Sequence, residues 1–157
     1  RVGVETVQNY VSYLISSYSL FKVPRYDIKG KRLLEINEKH YLGDIGFRNA
    51  LLGYKEADIT ALLENVVYLE LKRRGYAVTI GKLDDREIDF IAEKQNEKRY
   101  IQVAYLLESP KTIEREFSVL QKLRDNYPKM VLSMDTLAGD DVEGIQRMNL
   151  IDFLLNE

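Results

Sequence analysis

The sequence predicts an α/β fold with a mixed sheet, preceded by a short helix-and-hairpin lead-in. Three observations carry that expectation. The second half reads in the order α-β-β-β-α-β, with helical periodicity giving way to short apolar runs and returning once between them. A meander followed by a helical crossover requires both antiparallel and parallel neighbours, with helices on the faces of the sheet. The chain has 157 residues, 45% hydrophobic and 31% charged, enough for one ordinary domain or two small lobes sharing a core.

The elements follow in order. Thr6 is placed to cap a first helix through Tyr18, with Val7, Tyr10, Val11, Leu14, Ile15 and Tyr18 forming one apolar stripe. Phe21-Lys22-Val23-Pro24 ends it. Tyr26-Asp27-Ile28 and Leu33-Leu34-Glu35-Ile36 flank Lys29-Gly30 as a hairpin, its tip carrying Lys29, Lys31 and Arg32. A helix followed by a basic hairpin resembles the end of a winged helix; a solvated basic turn explains the same residues. Asp44 opens a short helix that runs to Leu52 and closes at Gly53. The strongest helix starts at Asp58 or Thr60, buries Leu63, Val66, Val67 and Leu71, and ends with Lys72, Arg73 and Arg74 before Gly75. Strands are expected at residues 76–80, 87–92 and 100–105. An amphipathic helix follows from Thr112 to Arg124, then a buried strand at 130–133, an edge strand at 145–150 and a terminal turn at 151–155. The boundary between a lead-in of residues 1–55 and a core of residues 56–157 falls between Gly53 and Asp58.

Composition removes several classes of function. With no cysteine there is no disulfide, thiolate nucleophile or cysteine-bound zinc, which fits a reducing, cytoplasmic setting. His40 is the only histidine, so an imidazole zinc site is excluded and a packed, half-buried ring is expected. No apolar run reaches the roughly 20 residues that span a bilayer. A net charge of −2 means that any contact with nucleic acid must come from a local patch. Two such patches are the hairpin tip (Lys29, Lys31, Arg32) and the helix end (Lys72, Arg73, Arg74). The tyrosines fall mostly on apolar faces, as core and interface residues rather than base-stacking platforms.

Glu64 on a helix, Asp89 on the second strand of the meander and Gln102-x-Ala104 on the third resemble the PD-(D/E)XK nuclease superfamily, a restriction-endonuclease-like core that also hosts junction resolvases. A closer resemblance runs through nearly the whole chain. It is carried by Lys39-His40-Tyr41, Asp44-x-Gly46, Leu63-Glu64-Asn65-Val66-Val67-Tyr68-x-Glu70-Leu71, Arg73-Arg74-Gly75-Tyr76, Glu87-Ile88-Asp89-Phe90, Ile101-Gln102-Val103-Ala104-Tyr105, Arg115-Glu116-Phe117 and Tyr127-Pro128-Lys129. These pieces, in this order, are similar to the domain of unknown function that follows the nucleotide-binding core of bacterial and archaeal AAA-type ATPases. The resemblance implies an accessory domain whose partner is its own ATPase core. ATP binding belongs to that upstream core, since no G-x-x-x-x-G-K-[ST] loop occurs here, and a chain opening on Arg1 is expected to be a piece of a longer protein. DNA and a second copy of the chain are further expected partners.

The same resemblance implies a site. Glu64, Asp89 and Gln102 would offer oxygen ligands to Mg²⁺, with the Val103 carbonyl as another. Alternation puts Gln102 and Ala104 on one face, so Ala104 stands where such nucleases carry a lysine. Losing one preorganised charged donor commonly costs roughly 10²–10³-fold in rate. The sequence therefore predicts a degenerate nuclease-like domain that binds DNA or a protein. The alternatives are a lysine supplied from Lys82 or Lys111 in an active Mg²⁺-dependent enzyme, and a pure interaction or oligomerisation module. Glu87 and Asp89 also read simply as a polar strand face, Glu64 as a partner of Arg73 or Arg74, and Gln102 as the cap of a buried backbone group.

Overall fold

The computed structural model describes residues 2–136 and 141–156. Its frame is one seven-stranded mixed sheet, β1 (Leu20–Asp27), β2 (Arg32–Leu42), β3 (Ala77–Leu83), β4 (Arg86–Lys94), β5 (Glu97–Val103), β6 (Lys129–Ser133) and β7 (Gln146–Asn149), in the order β2-β1-β3-β4-β5-β6-β7. Five helices accompany it among the described residues: α1 (Val4–Ser16), α2 (Ile45–Leu52), α3 (Ile59–Arg73), α4 (Pro110–Gln121) and α5 (Leu150–Leu155). The β3-β4-β5 meander is antiparallel, β5 and β6 are parallel across α4, and β6 and β7 are parallel. The α/β class, the mixed sheet and the order α3-β3-β4-β5-α4-β6 are as the sequence predicts. No helix among the described residues is long and apolar enough to cross a membrane.

Two cores divide at the sheet. On one face Val67, Tyr68 and Leu71 of α3 and Phe153 of α5 pack on Val23, Tyr41, Ile80, Phe90, Ile101 and Leu132. On the other, Phe117, Val119 and Leu120 of α4 pack on Ile88, Ile91, Tyr100, Ala104 and Val131. The first core holds an aromatic cluster, Tyr41 stacked on Tyr68 at 4.6 Å between ring centroids and Phe90 tilted against both.

The hairpin is longer than its sequence suggests. β2 continues to Leu42 through Glu38, Lys39 and His40, residues without strand-like patterning, because an irregular stretch around Asn37, at φ 61°, resets its register. Pro24 sits opposite that stretch, where β1 has no ladder bond to give. β1 then pairs in parallel with β3, Arg25 beside Ile80, so one sheet runs across the boundary expected near residue 55. Buried Asn65 on α3 fixes the end of β2 by accepting from the Leu42 N–H and donating to the Leu42 carbonyl, both at 2.8 Å.

Local expectations fare unevenly. The Asp44 carboxylate caps α2 through the Gly46 N–H, Gly53 closes it, and Gly75 follows α3 at φ 82°. α1 starts at Gly3–Val4 without a side-chain cap, rather than at Thr6, and buries none of its residues. Only Val11 and Ile15 of its stripe are half-buried. α4 begins at Pro110 rather than Thr112 and ends at Gln121 rather than Arg124, with Ser109 as its cap accepting from the Thr112 N–H. His40 is exposed, because Tyr41 and Lys39 take the inward face of β2.

Candidate functional site

The site begins with an irregularity in β4. Thr79 pairs with Ile91 but Gly81 with Ile88, so β4 spends three residue steps against two on β3. The extra residue is a bulge at Asp89-Phe90, a device that re-aims side chains. It also ends the β4–β5 ladder, whose last pair is Phe90 with Ile101. Val103 on β5 is left with an N–H facing β4, and the Asp89 carboxylate accepts it at 2.8 Å. Gln102 closes the split from the other side, its Oε1 accepting the Asp89 N–H at 3.3 Å and its Nε2 donating to Glu116 of α4 at 3.1 Å.

Over this split lies an open cleft of about 670 Å³, lined by Thr60 and Glu64 of α3, Arg86, Glu87 and Asp89 of β4, Gln102 of β5, and Lys111 and Arg115 at the start of α4 among others. Glu64, Asp89 and Gln102, three residues singled out by sequence, therefore meet. The N-terminal half of α3 supplies one carboxylate, the β4 bulge another, and the last turn of β5 the amide.

The sequence did not anticipate Lys39. Its ammonium reaches from β2 to Glu64 at 2.6 Å and to Glu87 at 3.4 Å. Tyr41, two residues on and therefore on the same face, donates to the same Glu64 oxygen at 3.4 Å and carries the lysine over its ring. Burial pulls the Lys39 ammonium toward neutrality, but the hydrogen bond to Glu64 and the fields of Glu64, Asp89 and Glu87 outweigh it, and the pKa is raised. Glu87 gives its other oxygen to Arg25. Arg115 holds Glu116, itself buried, at 2.6 Å.

The centre is thus an ion-pair network. Glu64, Glu87, Asp89 and Glu116 face Lys39, Arg25 and Arg115, one carboxylate in excess. Asp89 is the one driven to keep a proton. Burial first, then the neighbouring Glu64, push its carboxyl up to about 8, against the Val103 N–H and Lys39, which favour the anion. Every buried side-chain nitrogen and oxygen among the described residues has a hydrogen-bond partner.

These contacts decide how well Mg²⁺ fits. That ion wants about six oxygens at about 2.0–2.1 Å. Here one Glu64 oxygen is taken by Lys39, an Asp89 oxygen by Val103, and the Gln102 carbonyl by the Asp89 N–H. Among the described residues no three acidic or histidine side chains converge as metal ligands. As built, the residues do not fit the ion.

The remaining sequence candidates disperse. Ala104 is buried under α4 and its N–H bonds to Leu132, so its position belongs to the core. Lys111 lines the cleft, whereas Lys82 is exposed and lines a neighbouring cavity that shares Arg86 and Glu87 with it. Lys29 pairs with Asp84 at 2.6 Å, and Lys31 and Arg32 are exposed at the hairpin turn. Lys72 is exposed; Arg73 and Arg74 pair with Glu70, not with Glu64. The two arginines hold the Glu70 carboxyl down at about 2, the Arg73 hydrogen bond leading. Arg74 also donates to the Phe153 and Asn156 carbonyls at the end of α5, which gives it a structural role. Lys39 and Glu116 lay inside motifs that carried the resemblance, but nothing in their spacing marks them as neighbours of Glu64 or Gln102.

Comparison with known proteins supplies context. Residues 1–58 match a domain of unknown function, DUF8612. The match ends at the threshold of α3, so it includes Lys39 and excludes Glu64 and Asp89. Over 150 residues, 96% of the chain, the sequence is 38% identical to an uncharacterized protein of Haemophilus influenzae. Over 156 residues, 97% of the chain, it is 28% identical to an uncharacterized protein of Methanocaldococcus jannaschii. The alignments take in 37% and 34% of those proteins, so the chain spans about a third of the length of the curated relatives it matches.

Proposed function

We propose that this chain is a nuclease-like accessory module that binds rather than cuts. The observation that carries the reading is the Lys39 ammonium at 2.6 Å from Glu64, inside the carboxylate cluster. A hydrolytic site of this type needs ligands available to a cation and a charged group aimed at the phosphate. In this cleft Glu64 and Glu87 are already paired with Lys39, and Ala104 contributes only to the core. Asp89 and Gln102 serve as caps for the frayed β4–β5 ladder.

A PD-(D/E)XK-like ancestry is supported by the α3-to-β6 order and by Glu64, Asp89 and Gln102 lining one cleft. In this reading the lead-in is winged-helix-like, and the module serves an AAA-type ATPase of the cytoplasm whose ATP-binding core lies elsewhere in the longer protein. A protein surface is the favoured partner. Val7, Tyr10, Tyr13, Leu14 and Tyr18 of the α1 region and Phe47, Leu51, Leu52 and Tyr54 around α2 are exposed, an apolar area that calls for a cover. The basic candidates for DNA contact are partly consumed, Lys29 by Asp84 and both Arg73 and Arg74 by Glu70.

One observation favours the competing reading of an active Mg²⁺-dependent endonuclease. Lys111 lines the same cleft. Incubation with duplex, single-stranded and four-way-junction DNA, in Mg²⁺, Mn²⁺ or EDTA beside Asp89→Asn, separates the two. No metal-dependent cleavage is expected. Cleavage abolished by Asp89→Asn sinks the binding reading.

A further inference from the structure

The most unusual feature of the cleft is that two of the carboxylates lining it already share a cation. An acidic cluster alone indicates nothing, since it is equally a solvated face. This cluster holds an ammonium, at 2.6 Å from Glu64 and 3.4 Å from Glu87, delivered by β2.

The delivery is built into the fold in three ways. Asn65, next to Glu64, clamps the Leu42 backbone, so the helix that presents the carboxylate also fixes the strand that presents the lysine. Tyr41 stacks on Tyr68 of α3 and lies beneath the lysine, covering its stem. The irregular stretch around Asn37 is itself pinned, its carbonyl accepting from Arg25, whose guanidinium also holds Glu87. Lys39 is 28% exposed at its side chain and Glu64 14%, so the pair is sheltered from solvent screening.

We propose that Lys39 is the resident cation of this carboxylate cluster, held by Glu64 and Glu87, and that its charge beside Glu64 closes the cleft to divalent ions. The inference rests on the binding reading above and adds the device that enforces it. The ammonium is then the part of the mismatch with Mg²⁺ that one substitution removes: without it, Glu64 is left beside Asp89 with its charge unmet.

The test is Mn²⁺ binding by the chain, read by electron paramagnetic resonance and calorimetry, with no activity involved. Wild type is expected to show no stoichiometric site up to millimolar Mn²⁺. Lys39→Met is expected to take up one Mn²⁺ per chain, at least about tenfold more tightly than wild type, because a unit charge at this range is worth several-fold more than that at intermediate dielectric. Adding Glu64→Gln to Lys39→Met should abolish the gain, and Lys39→Arg, which keeps a cation, should not produce it. Lys39→Gln, which keeps polarity and length but not charge, runs in parallel should Lys39→Met fail to fold. Folding of either neutral variant only in the presence of Mn²⁺ also supports the proposal. A wild-type site lost in Asp89→Asn overturns it, as does a folded neutral variant with no gain. The two readings fail separately. Wild-type Mn²⁺ binding without DNA cleavage removes this inference alone, whereas cleavage abolished by Asp89→Asn removes the binding reading as well.

Discussion

Asp89 is a carboxylate used for its shape. Its oxygen accepts the Val103 N–H, a task a neutral side chain performs as well, and its surroundings favour the neutral form. The folded pKa of about 8 stands above the ordinary 3.8, so the folded chain holds a proton that the unfolded chain releases across that window. Stability from this residue is fully present below the unfolded value and is lost as pH rises through the folded one. Asp89→Asn is therefore expected to match wild type below the unfolded value of 3.8, to gain on it progressively as pH rises, and to exceed it most above the folded value of about 8 in urea denaturation. A wild type more stable than the variant at the higher pH contradicts the assignment. Lys39 carries the opposite expectation. Lys39→Met in chelator should lose about 2–3 kcal/mol, most of it the cost of leaving Glu64 sheltered and unpaired. Equal denaturation midpoints for the two chains would mean that the ion pair contributes nothing.

At the scale of elements, the site depends on how α3 and the β1–β2 hairpin are joined. Asn65→Ala removes both bonds to the Leu42 backbone and leaves a half-buried N–H and carbonyl without their partner, an expected loss of about 1–2 kcal/mol. Gly43, at the end of β2, approaches the Tyr18 carbonyl so closely that an added Cβ would collide with it. Gly43→Ala should cost about 1–3 kcal/mol, checked by thermal melting, because the obstacle is backbone and cannot rotate away. These joints also explain what the sequence showed and what it hid. The helices around Leu63 and Phe117 and the meander strands announce themselves by periodicity. Glu64, Asp89 and Gln102 were legible because each lies on such an element, within a motif. Lys39 was not. It sits in a charged stretch of β2 that does not look like strand, and it meets Glu64 from 25 residues away through a hairpin whose register turns on Asn37. Glu116 was hidden for another reason: a glutamate beside an arginine on an amphipathic helix reads as solvated, and only the split of β4 from β5 draws Gln102 toward it.

The whole molecule carries two kinds of surface. The cleft is polar and its carboxylates are largely paired, whereas α1 buries none of its residues and leaves Tyr10 and Tyr13 more than half exposed. Such a helix contributes little to the stability of the chain, and its exposed apolar residues make it the surface proposed above for association. Tyr10→Lys with Tyr13→Lys is expected to stay within about 0.5 kcal/mol of wild type in stability while reducing self-association in sedimentation. A large loss of stability would show that α1 belongs to the core. The central claim, that Lys39 satisfies the cleft's carboxylates in place of a metal, is met most directly by a crystal structure of wild type grown or soaked in Mn²⁺. The account predicts the Lys39 ammonium on Glu64 and no anomalous manganese density between Glu64 and Asp89. Manganese density there, with Lys39 turned away, would contradict it.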